Sequence, residues 1–67
     1  MRELTQTIAA EIATTLVANV YSTCTAADVF DVQQHGSVAA STVGEEYDEN
    51  LTDQIIDQLD VRGIPVP

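Results

Sequence analysis

Five aliphatic residues recur at every fourth position near the start of the chain: Leu4, Ile8, Ile12, Leu16 and Val20. Side chains four apart stack on one face of an α-helix, and apolar neighbours one residue further along, in place of strict alternation, distinguish that helix from a strand. Ala9, Ala13 and Val17 widen this stripe past half the circumference, leaving Glu3, Thr7, Glu11 and Thr14 as the polar edge. The pattern predicts a helix over residues 3–22 with more apolar surface than a simple surface helix presents.

A helix of that kind needs neighbours, and 67 residues supply few. The chain is read as one small domain over 1–67. Domains of about 60 residues bury only ~60% of the surface their unfolded chains expose. The usual reinforcements are missing from the sequence. Cys24 is the single cysteine, so no internal disulfide can form. One His and one Cys fall short of the four ligands of a structural zinc site. Aromatics are limited to Tyr21, Phe30 and Tyr47, so the core has to be aliphatic. These constraints point to contacts with other protein chains.

After a break at Ser22-Thr23-Cys24-Thr25, a short helix is expected over 26–35. Thr25 and Asp28 stand as a capping box with Asp in place of the usual Glu or Gln. Ala26, Val29, Phe30 and Gln33 would form its inner face. Gly36 is expected just past its end. Residues 37–44 read as a loop. A last helix is expected over 49–62, capped by Asp48 or Asn50, with Leu51, Ile55 and Leu59 as its stripe and Tyr47 at the edge. Gly63 falls where a left-handed residue closes a helix, and Ile64 where it can pack back on Leu59. Pro65 and Pro67 stop the helix and leave an extended tail. The fold expected is all-α: a small domain of two longer helices and one short one, with an extended C-terminal tail.

Charge sets the second constraint. Eleven Asp and Glu face two Arg and no Lys, for a net charge of −9. Glu45, Glu49, Asp53 and Asp57 are spaced four apart, with Asp60 following and Glu46 beside them. Like charges at this spacing each cost a few tenths of a kcal/mol in dilute buffer. At molar salt the Debye length is about 3 Å and that cost fades. Lysine-free, acidic, Ala-, Val- and Thr-rich composition resembles that of proteins from haloarchaea and their viruses. The resemblance implies a halophilic protein, located in the cytoplasm or in a virion. Residues 8–21 are too polar and too short to span a bilayer, and no leader-like apolar segment opens the chain.

Chemistry finds little support. Asp48, Asn50 and Thr52 begin like a calcium loop. However, Asp53 stands where glycine is required and Leu59 where the closing Glu belongs. His35 reads as a residue favourable to a helix C-terminus, and Cys24 as a small apolar residue. Asn50-Leu51-Thr52 matches the glycosylation triplet but lies at a helix start. No enzyme activity, metal or cofactor is expected.

Thr25 to Gly36, followed by Val43 to Ile64 with the Leu-x-x-x-Gly-Ile boundary at Leu59 to Ile64, resembles a winged helix-turn-helix core. That resemblance implies a regulatory or adaptor role. The helix that would read DNA carries carboxylates and only Arg62, whereas phosphate contact needs cations, so direct nucleic-acid binding is not expected. The leading expectation is a non-enzymatic structural or interaction subunit of a larger assembly from a halophile, such as a minor virion component of a haloarchaeal virus. Its contact residues would be Leu4, Ile8, Ile12, Leu16, Val20, Ile64 and Val66, beside an acidic surface of Glu45, Glu49, Asp53, Asp57 and Asp60. The alternatives are the helix-turn-helix-like regulator or adaptor, and an acidic nucleic-acid mimic that binds a basic partner.

Overall fold

The structure, a computed structural model, describes residues 2–22, 24–35 and 49–66. They form three helices and, among the described residues, no strand: α1 (Gln6–Ala18), α2 (Ala26–His35) and α3 (Glu49–Val61).

Helix α1 is shorter at both ends than its apolar stripe suggests. Thr5 stands in extended backbone and its hydroxyl accepts from the Ile8 N–H, 3.2 Å away, so the helix starts at Gln6. At the other end Val20 takes φ 82°, in the left-handed region. The Val20 N–H donates to the Val17 carbonyl and the Tyr21 N–H to the Leu16 carbonyl. This pair of bonds is the Schellman closure, with valine where glycine is the usual occupant. Thr14 and Thr15 return their hydroxyls to the carbonyls of Ala10 and Glu11, and the Asn19 amide donates to the Thr15 carbonyl.

Helix α2 begins with the capping box. The Asp28 N–H donates to Thr25 Oγ1 at 3.3 Å, and the Thr25 N–H donates back to Asp28 Oδ2 at 2.5 Å. Its inner face is rotated from the expected one: Asp28, Val29 and Val32 are buried, while Ala26, Phe30 and Gln33 are only half-buried. The box itself is local to the start of α2; which face turns inward is set by how α2 packs against α1 and α3.

Helix α3 starts at Glu49, so Asn50 is its second residue and not its cap. The expected roles of Gly36, Tyr47 and Asp48 lie outside the described residues. The far end follows the expected form. Gly63 takes φ 70°, its N–H donates to the Asp60 carbonyl, and the Ile64 N–H donates to the Leu59 carbonyl. Ile64 and Leu59 are both buried, as the apolar contact of this closure requires.

The core is a single aliphatic cluster. Ala9, Ile12, Ala13 and Leu16 come from α1, Val29 and Val32 from α2, and Leu51, Ile55 and Leu59 from α3, joined by Cys24 and Ile64. Leu4, Ile8, Tyr21, Phe30, Ile56 and Val66 pack around it, partly covered. Leu4, Gln33 and Pro65 line one cleft, so the start of α1 and the ends of α2 and α3 meet at one end of the bundle. The end of α1 and Val20 lie toward the other, a helix length of about 20 Å away.

Candidate interaction surface

The seven residues expected to contact other chains separate into three groups. Ile12, Leu16 and Ile64 are at most 2% exposed, covered by the chain's own helices. Leu4, Ile8 and Val66 are half-buried against the same core. Val20 stands 90% exposed. The stripe thus finds most of its neighbours within the molecule, because α2 and α3 together cover the face that looked too wide for a small chain.

Among the described residues two further valines are exposed: Val61 at 78% and Val17 at 43%. Val61 lies off the Leu51, Ile55 and Leu59 stripe and among aspartates, a setting in which sequence periodicity gives no reason to single it out. Val20 and Val61 sit toward opposite ends of the bundle. Each lies at the C-terminal end of its helix, and neither of those helices has a basic residue in its last turn.

Asp53, Asp57 and Asp60 are all exposed on the outer side of α3, opposite its buried stripe. Glu45 and the Glu49 side chain lie outside the described residues. Arg62 is drawn along its own helix, with Nη1 donating to Gln58 Oε1 at 2.5 Å. It does not cross to the aspartates by any described ion pair. Glu3 and Glu11 add exposed carboxylates on α1 and just before it.

Among the described residues the buried polar side chains are Asp28 and, less completely, Thr52. Asp28 is fully buried; Oδ2 is used in the capping box, and Oδ1 has no hydrogen-bond partner among the described residues. Cys24 lies beside it, 4% exposed. Burial, and then the neighbouring Asp28 charge, push the Cys24 thiol up to about 11 from an ordinary 9.0. At neutral pH it is therefore a protonated thiol without the nucleophilic character of a thiolate. No cluster of three His, Cys, Asp or Glu able to hold a metal occurs among the described residues. Arg2, Glu3, Leu4, Gln33 and Pro65 line an open cleft of about 330 Å³, at the lower limit of volumes that enclose a small ligand. No described helix is long and apolar enough to cross a membrane.

Comparison with protein-family models, with curated proteins and with solved structures finds no match to this chain.

Proposed function

We propose that the protein is a non-enzymatic structural or interaction subunit, held between neighbouring protein chains in an assembly that works in concentrated salt. A minor component of a haloarchaeal virus particle fits this description. The observation that carries the reading is the pair of most exposed valines among the described residues, Val20 and Val61, set toward opposite ends of a small bundle whose α3 presents Asp53, Asp57 and Asp60 to solvent. Two apolar points at two ends suit a subunit with a neighbour on each side. Covering a fully exposed valine contributes roughly 1.5–3 kcal/mol. Salt that screens the carboxylates removes the repulsion opposing such contacts. The exposed aspartates of α3 argue for protein partners over nucleic acid, since phosphates would meet like charge there.

Sedimentation velocity in about 3 M KCl tests this. The wild-type chain is expected to associate beyond a dimer as concentration rises, and Val61→Asp is expected to suppress that growth while the helical circular-dichroism signal stays unchanged. A compact, folded monomer at every concentration, or growth untouched by Val61→Asp, overturns the proposal.

A further inference from the structure

Val20 holds a conformation that its own side chain opposes. A β-branched residue in the left-handed region is a genuine outlier, because Cβ crowds the following carbonyl. Strain of this kind persists only when the surroundings enforce it. Here the side chain gains nothing in exchange, being 90% exposed. What enforces it is the return of the chain: Val20 is the residue at which α1 ends and the backbone turns back toward α2, through the Val17 and Leu16 carbonyls. No Gly or Pro occurs between Ala18 and Ala26 to favour that turn. The face of α1 that the turn delivers, Ala9, Ile12, Ala13 and Leu16, is buried in one cluster with Val29 and Val32 of α2 and Leu51, Ile55 and Leu59 of α3.

We propose that Val20 is the hinge of a domain swap, and that the occupant is a second copy of this chain. When Val20 relaxes to negative φ, α1 swings away from its own α2 and α3 and lays the same face on those of the partner copy. The swapped pair keeps every core contact, exchanging only which chain supplies it. In each copy it gives up the two closing hydrogen bonds at Val20 and Tyr21 and sheds the strain of that copy's hinge. Strained hinge loops are the known setting for such exchange. The two copies together double a net charge of −9, so the pair is favoured where salt screens it. This inference goes beyond the assembly reading and does not depend on it: the swap yields a closed dimer and does not use Val61.

Three measurements decide it. In about 3 M KCl the Val61→Asp chain, in which growth beyond a dimer is suppressed, is expected to populate a dimer that exchanges slowly with monomer, and dilute wild type is expected to show the same dimer. Val20→Gly, which relieves the strain of the closed form, is expected to raise the dimer dissociation constant about tenfold for each hinge. Ile12→Asp and Ile55→Asp chains, each with a broken core, are expected to regain helical signal and dimer mass when mixed. One swapped lobe then joins an intact α1 to intact α2 and α3. A wild-type chain that is monomeric throughout, a Val20→Gly dimer as tight as wild type, or mixed chains that stay unfolded overturns the swap.

Discussion

At the scale of single residues, the two helix closures form a natural comparison. The same hydrogen-bond pattern ends α1 and α3, but Gly63 occupies the left-handed position in one and Val20 in the other. A methyl group added at Gly63 meets no atom within 4 Å, so replacing it tests conformation alone. Gly63→Ala is expected to destabilise the fold by about 1 kcal/mol, and Val20→Gly to stabilise the monomer by about the same amount. Urea titrations of both variants beside wild type check the two signs together. Cys24 gives a second residue-scale expectation. A thiol whose proton is held more tightly in the folded state supports folding below its unfolded pKa and loses that support as pH rises through the folded one. Stability should therefore be indifferent to this group below pH 9.0 and fall as pH climbs from there toward about 11. Cys24→Ala should remove that fall, as unfolding midpoints measured across the range would show.

At the scale of helices, the faces differ in what they tolerate. Ile12 is fully buried at the centre of the α1 stripe, and Ile12→Ala is expected to cost 2–5 kcal/mol. Asp57 lies exposed between Asp53 and Asp60. Asp57→Asn removes like-charge neighbours and is expected to stabilise by a few tenths of a kcal/mol in dilute buffer, with the gain vanishing at molar KCl. Chemical denaturation of both variants at low and high salt checks the contrast. Loss of assembly with an intact fold in Asp57→Asn would show instead that the acidic face binds a partner.

The helices also show what was legible along the chain. The stripes of α1 and α3, the capping box at Thr25 and Asp28, and the closure at Gly63 and Ile64 could all be read from residue type and spacing, because each depends on neighbours within four or five residues. The early end of α1 could not. Asn19, the C-cap, is a weak stop signal that the apolar stripe running on to Val20 masked, and no Gly or Pro follows it to mark the turn. The rotation of α2, which buries Asp28 and Val32 and leaves Phe30 half-covered, was equally hidden, being a matter of which way one helix turns toward the others.

At the scale of the whole molecule, net charge governs behaviour. With eleven carboxylates on a chain this small and only Arg2 and Arg62 to offset them, a net −9, self-repulsion opposes the compact state in fresh water. Raising KCl from about 0.1 M to about 3 M, which shortens the Debye length from about 10 Å to below about 2 Å, is expected to raise the thermal midpoint. Circular dichroism at both salts measures it. A midpoint independent of salt would mean that the carboxylates are spread too far apart to matter, and the halophilic part of the proposed function would lose its basis.

Composition and periodicity by themselves determined that the chain is helical, that its core is aliphatic, that it is strongly acidic and that its last helix closes at Gly63, since these are properties of short stretches and of sums. Only the tertiary structure decided which apolar residues stay outside. Ile12, Leu16 and Ile64 share the stripe and tail of Val20 and Val66 in sequence, yet the first three are enclosed and Val20 stands in solvent. Burial depends on where three helices meet, and that is fixed by turns such as the one at Val20 and by the packing of distant residues against each other.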